Sequence, residues 1–124
     1  MTDCVITYDL KSGSPDPHKI FLTSAEREGL LYVWKGASYV SRLPNTTVWG
    51  IFSSTEEADQ AFDRALSVAS KKVGYPIVLE KRCTTEMESP LVMSDRRKKP
   101  ETKWTGGTSF DTSRLHQLND PFFR

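Results

Sequence analysis

"STEEADQAFDRALSVASKKVG", residues 54–74, decides the fold because it predicts the longest regular element of the chain. Ser54, followed three residues later by Glu57, forms a capping box that starts a helix by satisfying N–H groups of the first turn. Gly74 is placed to end the helix. Apolar residues recur at helical spacing between these ends, at Ala58, Ala61, Phe62, Ala65, Val68 and Ala69. The stretch therefore predicts an amphipathic helix with one packed face.

The sequence on both sides of this helix predicts strands. "TVWGIF", residues 47–52, is rich in strand formers, and Gly50 within it predicts a bulge or a close backbone approach. "YPIVLEKRC", residues 75–83, has the alternation of inward-facing and outward-facing residues that is typical of a strand. Its alternation places Ile77 and Leu79 inward, and Val78, Glu80 and Arg82 on the opposite face.

The amino-terminal part repeats the pattern of a strand and a helix. "CVITYDL", residues 4–10, alternates, so that Ile6, Tyr8 and Leu10 share one face and Val5, Thr7 and Asp9 share the other. Asp16 and Pro17 then start a helix that Gly29 ends. Residues 30–43 read as one strand of uncertain bounds or a bulged strand, because Lys35 and Gly36 interrupt a run of strand formers.

The order of elements predicts an α+β protein with the ferredoxin-like βαββαβ sandwich, a four-stranded antiparallel sheet with two helices on one face. Residues 1–83 are the predicted domain, and residues 84–124 are an extended tail that is partly disordered or docks on a partner or a second protomer. The first and fourth strands are neighbours in this topology, which brings Cys4 near Cys83. A disulfide is sterically conceivable, although free thiols are the rule in the cytosol.

The composition narrows the class of protein. The 124 residues suffice for one core, and a hydrophobic fraction of 37% is on the polar side for a compact domain. The net charge of +1 argues against a non-specific DNA coat. No segment has the pattern of a signal peptide or of a membrane span, so we expect a cytoplasmic protein with no membrane partner.

Asp9 is the leading candidate for chemistry. A carboxylate at the carboxyl end of a central strand is well placed to hold Mg²⁺ or Mn²⁺, and a symmetric dimer would bring a second copy of it. The alternative is that Asp9 caps the following loop by accepting backbone N–H bonds from Lys11 or Ser12.

"VITYDL", together with the βαββαβ pattern up to residue 83, resembles the Cas2-like group of ferredoxin-fold proteins, which includes the VapD and SinR-like toxins. The resemblance implies a homodimer in which Asp9 holds a divalent metal for cleavage of RNA or DNA phosphodiesters. Ser12 and Ser14 would then contact phosphate, and Arg42 would steady the nucleic acid. The resemblance also implies that the segment with "SPLVM" crosses to the other protomer.

Two non-catalytic functions stay open. "IFSSTEEADQAFDRA" is similar to part of an RNA-recognition motif, in which Tyr8 and Trp49 would stack on bases. The chain is otherwise predicted to be an interaction protein of mobile-element or host-defence origin that uses the fold as a scaffold. Trp104, Phe122 and Phe123 in the tail are the predicted anchors for a protein partner.

Overall fold

A computed structural model describes residues 1–35, 39–99 and 121–123. The elements are β1 (Thr2–Leu10), α1 (Pro17–Arg27), β2 (Val33–Lys35), β3 (Val40–Arg42), β4 (Thr47–Phe52), α2 (Thr55–Val73), β5 (Leu79–Glu86), β6 (Arg97–Lys98) and a 3₁₀ turn at Pro121–Phe123. The α+β class predicted from the sequence is confirmed. Trp104 lies outside the described residues.

The main sheet has the antiparallel order β4-β1-β5, with β1 at its centre. Alternate residues of β1 are buried against the two helices, as the sequence predicts, because successive strand side chains point to opposite faces. Tyr8 lies between Phe21 of α1 and Phe62 of α2, with ring centroids 5.1 Å and 5.2 Å from its own. We call this side of the sheet the helix face, and the side that carries Val5, Thr7 and Asp9 the outer face.

Both helices begin and end where the sequence predicts. The Asp16 side chain accepts the N–H of His18, and the Ser54 side chain accepts the N–H of Glu57. Gly74 adopts φ +90 at the end of α2, in the left-handed region that glycine enters without a Cβ penalty. Gly50 makes the expected close backbone approach, since a Cβ there would overlap the Gly29 carbonyl oxygen.

Residues 30–43 differ from the prediction of one strand. They form two short strands, β2 and β3, which pair with each other and belong to a second antiparallel sheet of order β2-β3-β6. Contact with the main sheet is made by an antiparallel bridge between Leu31 and Trp49. The continuous four-stranded sheet expected from the sequence is therefore replaced by two three-stranded sheets. The Trp49 indole N–H donates to the Val33 carbonyl and occupies a backbone acceptor of β2.

The facing of β5 also differs from the prediction. Asp9 pairs with Lys81 and Leu10 pairs with Leu79, so the register skips Glu80. This irregularity reverses the alternation beyond it. Arg82 consequently lies opposite Tyr8 on the helix face, where its guanidinium covers the Phe62 ring. The prediction that Arg82 shares the outer face with Val78 and Glu80 is wrong for this reason.

Part of the predicted tail packs on its own chain. β5 runs to Glu86, past the predicted boundary at residue 83, and β6 adds a short edge strand to β3. Phe123 is fully buried in the main core. A second hydrophobic cluster lies on the outer face, formed by Leu31, Leu43 and Trp49 with Val5, Trp34, Ile51, Met87 and Val92 packed around it. Among the described helices, none is long and apolar enough to span a bilayer.

Candidate functional site

Asp9 lies at the carboxyl end of the central strand and points to the outer face, as the sequence predicts. Its side chain is 57% exposed and lines a groove of about 410 Å³. Thr7 and Cys83 line the floor of this groove on paired strands, and Asn45 to Thr47 form one wall. The site is thus an open, polar depression on the sheet, here called the Asp9 groove.

The strongest described interaction of Asp9 is with Lys81, its cross-strand neighbour. Lys81 Nζ lies 3.9 Å from Asp9 Oδ2, and the lysine side chain is 79% exposed. An ion pair this exposed contributes about 0–1 kcal/mol, because water screens it. Lys81 still places a positive charge where a metal ion would bind.

The interpretation of Asp9 as a loop cap finds no bond to support it in the described part of the chain. The Lys11 N–H donates instead to the Val78 carbonyl at 2.9 Å. No backbone N–H from the described residues reaches the Asp9 carboxylate within hydrogen-bond distance. Asp9 therefore keeps its acceptor oxygens open to solvent and to Lys81.

The prediction that Asp9 holds a metal ion stays a prediction. The described residues contain no group of three or more His, Cys, Asp and Glu side chains that could hold a metal ion. Asp9 is the acidic residue that lines its groove. A hard cation such as Mg²⁺ or Mn²⁺ usually retains several waters and takes one or two carboxylates from the protein.

The loop after Asp9 carries Ser12 and Ser14, both exposed. Tyr75 of the same chain holds this loop in place. The Tyr75 hydroxyl donates to the Pro15 carbonyl, and a Cβ at Gly13 would overlap the Tyr75 ring. The two serines are therefore presented to solvent on a loop that is held against the segment between α2 and β5.

Arg42 is placed apart from Asp9, and it does not line the Asp9 groove. Its guanidinium is half-buried and lies 4.4 Å from the centroid of the Tyr32 ring. Nε donates to the Phe123 carbonyl at 3.0 Å, and Nη1 donates to the carbonyls of Leu43 at 2.8 Å and Tyr32 at 3.3 Å. Burial lowers the pKa of Arg42. The sequence predicted a functional cation at Arg42 but not the backbone carbonyls that accept its hydrogen bonds.

The predicted stacking of bases on Tyr8 and Trp49 is wrong. The two rings lie on opposite faces of the sheet and both are buried. Tyr8 packs between the helices, while Trp49 packs edge-on to Trp34 with centroids 4.5 Å apart. Trp49 pairs with Val5, whose side chain lies on the outer face, whereas Tyr8 lies on the helix face. One base-binding surface therefore cannot include both rings.

The tail anchors fall into separate environments. Phe123 is fully buried in the core of its own chain, and its carbonyl is held by Arg42. Phe122 is 42% exposed beside it, with Lys98 Nζ 5.4 Å from its ring centroid. Phe122 is therefore the more exposed of the two described anchor residues.

Both cysteines are free. Cys4 is buried on the helix face opposite Glu86, whereas Cys83 is exposed on the outer face opposite Thr7. Their side chains therefore point away from each other across the sheet. Burial, reinforced by the nearby carboxylate of Glu86, raises the pKa of the Cys4 thiol.

Comparison with known proteins does not assign the chain to a class. No family model matches it, and no curated protein or solved structure matches it either. Function therefore has to be argued from the residues and their geometry.

Proposed function

We propose that the chain is a Cas2-like homodimer with metal-dependent endonuclease activity on RNA or DNA, centred on Asp9. The observation that carries the proposal is the position of this carboxylate. It ends the central strand, faces outward in a groove, and accepts no bond from a described backbone N–H. Such an acceptor is suited to a hard cation.

The strand order supports a ferredoxin-like interpretation of the fold. β1 lies between β4 and β5, all neighbours are antiparallel, and both helices pack on the same face. The bridge between Leu31 and Trp49 occupies the position at which a fourth strand would pair with β4. We propose that the short β2-β3 hairpin is an elaboration of that edge strand.

In the proposed mechanism, two copies of Asp9 would hold one Mg²⁺ or Mn²⁺ ion between the protomers of a dimer. Such an ion would supply an activated water for hydrolysis of a phosphodiester. Ser12 and Ser14 lie next to Asp9 along the chain and would contact a neighbouring phosphate. Arg42 would act outside this groove, on a more distant part of the nucleic acid.

A second candidate function is a non-catalytic module that binds RNA or protein in the cytoplasm. The ion pair between Asp9 and Lys81 favours it, because Lys81 opposes a cation at the carboxylate. The exposed ring of Phe122 would then serve as an anchor for a protein partner.

The test compares cleavage of labelled single-stranded RNA and duplex DNA by the unmodified chain and by Asp9→Asn, with Mg²⁺ or Mn²⁺ and with EDTA. Glu56→Gln is the matched control, because it neutralises an exposed acid of α2 outside the Asp9 groove. Lys81→Met adds a sharper comparison, since removing the opposing charge is expected to strengthen metal binding. The mass in solution is recorded for each variant.

The nuclease proposal expects cleavage by a dimer that Asp9→Asn and EDTA abolish, that Glu56→Gln retains, and that needs less metal in Lys81→Met. Cleavage that survives Asp9→Asn, or the absence of cleavage with every metal and substrate, would reject it. Saturable RNA binding without cleavage would support the second candidate.

A further inference from the structure

A second groove of about 630 Å³ lies between α1, Tyr32 and the carboxyl-terminal turn. Among the described residues, none lines both this groove and the Asp9 groove. Arg42 lines it from one side, and His18 and Lys19 line it from α1. The groove is therefore separate from the Asp9 groove, although Arg42 also belongs to the proposed nucleic-acid contacts.

The charge of Arg42 is unbalanced within the described structure. Its guanidinium is half-buried, yet no carboxylate from the described residues forms an ion pair with it. Three backbone carbonyls fix the group through Nε and Nη1, and no bond from Nη2 to the described residues accompanies them. Partly buried charges are normally paired with an opposite charge, so an anion is the expected complement.

The other charged residues that line the groove among the described residues are Lys19 and Asp16. Lys19 is exposed at the rim, and His18 lies beside it. Asp16 is the acid among the lining residues, but one of its carboxylate oxygens already accepts the His18 N–H at 3.0 Å. Arg42 and Lys19 together outweigh the single negative charge of Asp16, so the charged residues that line the groove favour an anion over a cation.

The walls of the groove are apolar. Ile20 and Leu22 of α1 are half-buried and contribute apolar surface to the groove. Pockets that combine apolar walls with a few fixed polar groups are typical of small-molecule sites. The Nε–H and Nη1–H groups of Arg42 are taken by backbone carbonyls, so the Nη2–H groups are the donors left for a phosphate oxygen.

We propose that this groove binds a small organic phosphate, with the phosphate on Arg42 and Lys19 and the apolar part of the ligand against Ile20 and Leu22. A phosphate monoester with an aromatic group is the class that fits this division best. The inference stands whether or not Asp9 supports cleavage.

Phenyl phosphate is the probe for this site, with inorganic phosphate and phenol as its two halves. Binding to the full chain is followed by two-dimensional amide NMR, which also locates the affected residues. Phenyl phosphate is expected to bind at one site and about tenfold more tightly than inorganic phosphate, because the ring adds apolar contact. Phenol alone is expected to cause no saturable shift.

Lys19→Met is the decisive variant, and Lys72→Met, on the exposed surface of α2, is its matched control. Loss of the Lys19 charge is expected to lower the affinity for phenyl phosphate about 3- to 10-fold. Lys72→Met and Asp9→Asn are expected to leave this affinity unchanged. Arg42→Met is expected to abolish binding, but it also removes three carbonyl bonds, so Lys19→Met carries the test if that variant unfolds.

Three results would overturn the proposal. The first is that no amide signal shifts saturably up to about 10 mM phenyl phosphate. The second is that Lys19→Met and Lys72→Met weaken phenyl phosphate binding equally. The third is that the shifted signals all belong to residues of the Asp9 groove. The last result would relocate phosphate binding to the proposed nuclease site. It is distinguishable because Asp9→Asn would then change the affinity.

Discussion

Arg82 and Lys81 are sequence neighbours on β5 whose side chains lie on opposite faces of the sheet. Arg82 is 23% exposed, and its guanidinium contacts Asp59 at 3.4 Å and Asp63 at 2.7 Å. Thr84 donates to Asp59 beside it. Lys81 is 79% exposed and reaches Asp9 alone. Substituting Arg82 therefore removes the cation from two carboxylates, whereas substituting Lys81 removes it from one exposed carboxylate.

We expect Arg82→Met to lower the free energy of unfolding by about 1 kcal/mol, because it removes a half-buried guanidinium that pairs with two partly exposed carboxylates and covers the Phe62 ring. Lys81→Met, the matched control, is expected to change it by less than about 0.5 kcal/mol, since exposed pairs contribute little. Urea denaturation of both variants measures the difference. Equal effects of the two substitutions would contradict this account.

Asp9 illustrates the limit of inference from single residues. Its position at the end of β1 and its outward facing follow from the alternation of residues 4–10 and are confirmed. The lysine opposite it could not be anticipated, because the irregularity at Glu80 sets the pairing. The charge around a candidate site thus depends on strand register, which a short apolar pattern leaves undetermined.

At the scale of elements, the two helices are the parts best predicted by the sequence. Their capping residues bond to N–H groups a few positions away, so all the necessary information is local. Strand β4 follows the prediction over the same residues. Residues 30–43 do not, because the choice between one long strand and a hairpin depends on contacts with Trp49, which is distant in sequence.

The capping of α2 can be tested by Ser54→Ala. Removing the side-chain acceptor of the Glu57 N–H is expected to cost about 1 kcal/mol of unfolding free energy. Ser53→Ala is the matched control, because Ser53 is exposed and precedes the cap. Thermal unfolding followed by circular dichroism compares them. A control as destabilised as Ser54→Ala would show that the hydroxyl bond is not the cause.

At the scale of the whole molecule, the main sheet separates two hydrophobic clusters. The helix face carries the larger one, and Trp49 centres the smaller one on the outer face. The carboxyl-terminal turn joins the first cluster through Phe123, so residues at both ends of the described chain share one core. This arrangement also forms the wall of the proposed phosphate groove.

We expect Phe123→Ala to destabilise the protein by about 2–4 kcal/mol, near the lower part of the range for a buried phenylalanine, because a terminal turn can detach locally. Phe122→Ala, the matched control, removes a ring that is 42% exposed and is expected to cost less than about 1 kcal/mol. Chemical denaturation gives both values. If the two variants were equally stable, Phe123 would not belong to the core in solution.

The sequence by itself determined the α+β class, both helices with their caps, the faces of β1 and the exposure of Asp9. These features depend on periodicity and on bonds between residues close in sequence. The tertiary structure alone decided the splitting of residues 30–43, the turning of Arg82 to the helix face, the burial of Phe123 and the groove beside Arg42. Each of these depends on contacts between distant residues, whose partners are set by register and packing and leave no periodic mark in the chain.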